Sequence, residues 1–107
     1  MRRPVLTVLG CVMVCGLLAG CAIDYPAPEL TMTNELDEQV VVVVQTDTGT
    51  VDRRVDAGGE NSITLNRCIG YAIVVKDEDG VVLGRVDEAA CPDKTLTIRA
   101  DGTLDYS

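Results

Sequence analysis

The sequence predicts an all-β protein, a small antiparallel β-sandwich of seven or eight strands behind a cleaved signal peptide. Three observations carry this. Short β-like runs, either alternating or apolar on both faces, follow one another with turn residues between them. No window of useful length shows helical periodicity. The chain also opens on basic residues and an uncharged apolar stretch ending in small residues, the layout of a secretory signal.

The strands can be justified in order. "LTMTN" (30–34) alternates, with Leu30 and Met32 on one face and Thr31 and Thr33 on the other. "QVVVVVQT" (39–46) is apolar on both faces, which suits a central strand. "DTG" (47–49) turns the chain into "TVDRRVD" (50–56), a polar run expected at a sheet edge, where Arg53 and Arg54 discourage further pairing. "AGGE" (57–60) turns again before "NSITL" (61–65), with Ile63 and Leu65 inward. "GYAIVVK" (70–76) is a second buried strand, and "DEDG" (77–80) turns it into "VVLGRV" (81–86). "KTLTIRA" (94–100) places Leu96, Ile98 and Ala100 inward. Asp101-Gly102 reads as a two-residue hairpin turn leading into "TLDYS".

The amino terminus decides where this domain is held. Met1-Arg2-Arg3-Pro4 precedes 16 uncharged residues, Val5 to Gly20. That is shorter than the roughly 20 residues of a membrane-spanning helix. Leu18-Ala19-Gly20-Cys21 resembles the lipobox of bacterial lipoproteins at all four positions: aliphatic, small, Gly or Ala, and Cys. The resemblance covers residues 1–21 and implies a definite fate. Residues 1–20 would be removed by a dedicated signal peptidase that recognises Leu18, Ala19 and Gly20. The Cys21 thiol would carry a diacylglyceryl group, and its new amine would be open to acylation, for instance by palmitate. Two or more acyl chains hold a protein on a bilayer where one binds only marginally. Ordinary cleavage nearby, giving a secreted soluble β domain, is the alternative. Residues 21–29 then read as the lipidated cysteine and a short tether with Pro26 and Pro28, and 30–107 as the sandwich.

The cysteines divide accordingly. Cys11 and Cys15 sit among Val, Leu and Met, and the chain has no histidine, which argues against a zinc site, so they read as apolar signal-peptide residues. Cys68 precedes the strand 70–76, and the chain runs out, returns along 81–86 and reaches Cys91. Both therefore lie at one end of the domain, where a bridge is feasible. Outside the cytoplasm a disulfide is the natural state of such a pair. It closes a loop of 22 residues (69–90). The pair lacks the C-x-x-C spacing of redox-active cysteines.

Charge narrows the partners. Without Arg2 and Arg3, the nine Lys and Arg fall to seven against 17 Asp and Glu, a balance of −10. That argues against nucleic acid and for a basic envelope protein or polymer. It also predicts that the domain stands off from an anionic lipid surface. No catalytic constellation emerges: histidine is absent, and Ser62 and Ser107 sit in ordinary surface contexts. The abundant acids lack the aromatics of a sugar-stacking cleft, since Phe and Trp are missing. Asp77-x-Asp79-Gly80 has part of a calcium-loop pattern, but strand sequence follows where an EF-hand needs the rest of a twelve-residue loop. Asp77–Asp79 with Asp87, Glu88 and Asp93 read as a solvated acidic surface with weak cation affinity at most.

The mature part is similar to small lipoproteins of the high-GC, actinobacterial type. In these, short strands, a "V-x-A/P-G" turn and a later cysteine pair build an immunoglobulin-like sandwich. Val55-Asp56-Ala57-Gly58 with Cys68 and Cys91 carries the likeness over about residues 30–100. It implies a fold and assigns no activity to any residue. The expectation is an extracytoplasmic lipoprotein bound to the cell membrane through acylated Cys21, a non-catalytic binding or accessory module needing no cofactor and no metal. A small enzyme or metal-binding lipoprotein is the alternative, which stoichiometric metal in the purified domain would favour.

Overall fold

A computed structural model describes residues 27–107, and every regular element within them is a strand. In chain order these are β1 (Glu29–Asn34), β2 (Val40–Thr46), β3 (Gly49–Val55), β4 (Glu60–Thr64), β5 (Ala72–Lys76), β6 (Val82–Val86), β7 (Thr95–Ile98) and β8 (Leu104–Tyr106). They form two four-stranded sheets, one in the order β4-β1-β7-β8 and the other β3-β2-β5-β6. The expected sandwich of seven or eight strands is the architecture observed, with eight.

The inward positions follow from the alternation. Leu30 and Met32 from β1, Ile63 from β4, and Leu96 and Ile98 from β7 meet Val40, Val42 and Val44 from β2 and Ile73 and Val75 from β5. All are buried, and Leu65, just past β4, joins them. At roughly 1.5–3 kcal/mol per fully buried aliphatic side chain, this layer is the main stabilising term. β3 is an edge strand, as its charged sequence predicts.

Three details depart from the sequence reading. First, β1 and β7 run parallel, Thr31 beside Thr95 and Asn34 beside Ile98, while every other strand pair is antiparallel. Parallel neighbours are joined by distant chain segments, so no local turn signal announces them. Second, Ala100 is exposed, because β7 ends at Ile98 and the chain is already turning. Third, that turn has three loop residues. The Arg99 carbonyl accepts from Gly102 N–H and Arg99 N–H donates to the Thr103 carbonyl, with Gly102 at φ 88°. This is a type I turn closed by a left-handed glycine, the next most common hairpin after the two-residue loops. The 77–81 turn repeats it, with Gly80 at φ 84°.

Four crossovers carry the chain between sheets: β1 to β2, β3 to β4, β4 to β5, and β6 to β7. The first two lie at one pole and are pinned by Asn34, the one buried polar residue among those described. Its Nδ2 donates to the carbonyls of Glu38, Val55 and Asp56, and its Oδ1 accepts from Leu36 N–H. The other two crossovers lie at the opposite pole, where the chain enters the domain.

Candidate functional site

At the entry pole the sequence-predicted Cys68 and Cys91 form a disulfide, joining the β4–β5 crossover to the β6–β7 crossover. Beside it Ile69 and Ala90 exchange backbone hydrogen bonds, both 2.8 Å, as an isolated antiparallel bridge. Tyr106, from β8, completes the arrangement. Its hydroxyl donates to the Ala89 carbonyl at 2.7 Å and accepts from Cys91 N–H at 2.9 Å, so one phenol grips the backbone on both sides of Ala90. Partial burial, with Glu88 nearby, raises its pKa above 10.0, against the opposing effect of the Cys91 N–H. The Lys94 ammonium lies 5.0 Å from the Tyr106 ring centroid, within cation–π range. Tyr106 was not foreseen as a functional or structural residue. A lone aromatic in the last strand of a chain without Phe or Trp was the available signal.

Gly70 shows how tightly this pole is built. It sits at φ 75°, and a Cβ there would come within 2.4 Å of the Gln45 carbonyl oxygen. That carbonyl accepts from Tyr71 N–H. The loop from Arg67 to Tyr71 and the Asp47-Thr48 turn enclose a shallow hollow of about 560 Å³ below the disulfide.

A second concavity, about 710 Å³, opens on the outer face of the β4-β1-β7-β8 sheet. Registration builds it. Ser62, Thr31 and Thr95 stand in one row across β4, β1 and β7, and Glu60, Thr33 and Thr97 in the next. Glu29 lies beyond the first row, opposite Thr64. Asp93 and Lys94 form one wall, Asp93 in a left-handed conformation (φ 64°) with its N–H donating to the Glu29 carbonyl. Ser62 thus lies in a groove.

The acids singled out from sequence are not brought together. Asp77, Glu78 and Asp79 lie in the β5–β6 hairpin at the pole opposite the entry, whereas Asp87, Glu88 and Asp93 lie in the β6–β7 crossover. Asp77 Oδ1 is engaged by Asp79 N–H and Val81 N–H, the work of a turn-forming aspartate. Among the described residues no group of three or more His, Cys, Asp or Glu is placed to hold a metal. Leu18, Ala19, Gly20 and Cys21, with Cys11 and Cys15, fall outside the described residues.

No protein-family model, no curated protein and no solved structure matches this chain.

Proposed function

We propose that this protein is a lipoprotein of the bacterial cell envelope, held on the extracytoplasmic side of the membrane by acylated Cys21, and that its sandwich is a non-catalytic binding module. The observation that carries the reading is Leu18-Ala19-Gly20-Cys21, placed directly behind 16 uncharged residues and an Arg-Arg start. The fold is consistent with it. The first strand begins at Glu29, and the Pro28 carbonyl accepts from Leu65 N–H. Cys21 and Ala27 are six residues apart, a reach of at most about 21 Å. The entry pole and its disulfide would therefore stay close to the bilayer, and the acidic 77–81 hairpin, with the 99–103 hairpin, would point away from it. A disulfide-closed domain suits an oxidising compartment. Rigid sandwiches present loops and faces for binding, and the acidic balance favours a basic protein or polymer as partner.

In-cell crosslinking of the wild-type chain beside Cys21→Ala, with captured species identified by mass spectrometry, tests this. The expected result is a defined partner captured by wild type and lost with the anchor. Wild type and variant both fractionating as soluble protein would refute the anchor.

A further inference from the structure

We propose that the outer face of the β4-β1-β7-β8 sheet is a binding site for an amine-bearing polysaccharide, with the Thr31, Ser62 and Thr95 hydroxyls and the Glu29 and Glu60 carboxylates as its contacts. The inference deepens the binding-module reading above by naming a face and a ligand class.

The first support is the hydroxyl lattice. Thr31 and Thr33 on β1 stand in register with Thr95 and Thr97 on β7, and Ser62 on β4 extends the first row. Neighbouring strands are about 4.8 Å apart and successive outward positions roughly 6.6 Å apart along each strand, so the hydroxyls form a regular two-dimensional array. Threonine is a good strand former on any exposed face; what marks these hydroxyls is their register in two adjoining rows, the first of which (Ser62, Thr31, Thr95) lines the concavity. Among the described residues none of the five bonds another protein group, which leaves them open to a ligand, unlike the Thr46 and Thr103 hydroxyls, which are bonded to the Gly49 carbonyl and the Asp101 carboxylate. Each free hydroxyl both donates and accepts. A surface of that kind matches the alternating donors and acceptors of a polyol, which can replace ordered water one bond at a time.

The second support is the charge of the groove. Among the described residues, Glu29, Glu60 and Asp93 line it against one cation, Lys94, whose ammonium lies over the Tyr106 ring. The excess of carboxylates repels acidic glycans and favours a ligand carrying amines. A basic peptide shares the amines, yet the position disfavours it. The hydroxyl rows run along β1 and β7, the two central strands of the sheet. Their backbone groups are already paired, and a peptide adds to a sheet through a free edge.

The test is calorimetric titration of the full chain in detergent with three probes: a glucosamine hexamer, an N-acetylglucosamine hexamer and a lysine hexamer. The glucosamine hexamer should bind best and the acetylated one more weakly. Thr31→Val with Thr95→Val, which keeps β-branched shape and removes both hydroxyls, should weaken glucosamine binding by ~10-fold or more. Thr50→Val, on the opposite sheet, should leave it unchanged. Glu29→Gln with Glu60→Gln should abolish the preference for the amino sugar over its acetylated form. Thermal melts of each variant establish that the fold is intact. Absence of binding to both sugars by the wild-type chain would overturn the proposal. So would sugar binding indifferent to loss of the two hydroxyls, or a lysine hexamer bound as tightly as the glucosamine hexamer. Because the titration reads binding and not membrane attachment, its failure leaves the anchor untouched, and failure of the anchor leaves the titration interpretable.

Discussion

The two poles of the sandwich solve one problem by different means. Each must hold two sheet-to-sheet crossovers side by side. At the pole away from the chain entry a single amide does this: Asn34 reaches three carbonyls and one N–H from two crossovers. At the entry pole the fastening is covalent and layered, with the Cys68–Cys91 bond, the Ile69–Ala90 bridge and the Tyr106 hydroxyl acting on neighbouring residues. The difference shows that a small core without Phe or Trp needs its connections fixed as well as its strands packed. Among the described residues the one disulfide lies at the pole where the chain enters the domain.

The largest effect should come from the covalent pole. Replacing Cys68 and Cys91 together by Ser is expected to cost about 3 kcal/mol, the chain-entropy value for a loop of this size. Urea unfolding of the double variant, and of wild type under reductant, should show the same loss. Asn34→Ala should follow at roughly 2–3 kcal/mol, because it leaves several buried backbone groups without partners. If Asn34→Ala proved harmless while the cysteine variant unfolded, the poles would differ in importance and not merely in chemistry. Tyr106→Phe should cost about 1 kcal/mol by freeing the Ala89 carbonyl and Cys91 N–H. Amide exchange should then rise at Ala90 and Cys91 and stay unchanged at Leu36.

The smallest effect is one of pH. Tyr106 is neutral in the fold to a higher pH than in the unfolded chain, so its contribution is complete below pH 10.0 and is lost as pH rises through the folded pKa above that value. Wild type should therefore lose stability above pH 10 more than Tyr106→Phe does, as read by urea midpoints across that range. At the other end of the scale, Thr103 lowers the Asp101 pKa below 3.8 through hydrogen bonds. That stabilisation is present above pH 3.8 and lost as pH falls through the folded pKa, at the pole that carries Asn34.

Much of this was legible in the residues. Period-two alternation correctly placed Leu30, Met32, Ile63, Leu65, Leu96 and Ile98 inside, and the two-faced valine run marked β2 as central. The same period puts Asn34 on the inward face, and a polar residue at an inward position was a usable sign of a buried hydrogen-bonding role. Other features lay beyond local pattern. The parallel β1–β7 pairing joins segments more than 60 residues apart in the chain, and the hydroxyl array exists only once that pairing sets Thr31 beside Thr95. Ala100 was misplaced because alternation was extended two residues past the strand's end. The outer face of the second sheet also needed three dimensions. Val43 and Val74 point away from the core yet are nearly buried, since the Arg85 side chain reaches across β5 to Gln45 Oε1 at 3.3 Å.

The proposed location and orientation both depend on the chemistry at Cys21. Intact-mass spectrometry of the chain purified from bacterial membranes addresses it directly. The account predicts a polypeptide beginning at Cys21, heavier than residues 21–107 by a diacylglyceryl group with or without one further acyl chain, and absent from membranes in Cys21→Ala. An unmodified polypeptide starting at any other residue, recovered from the soluble fraction, would contradict it.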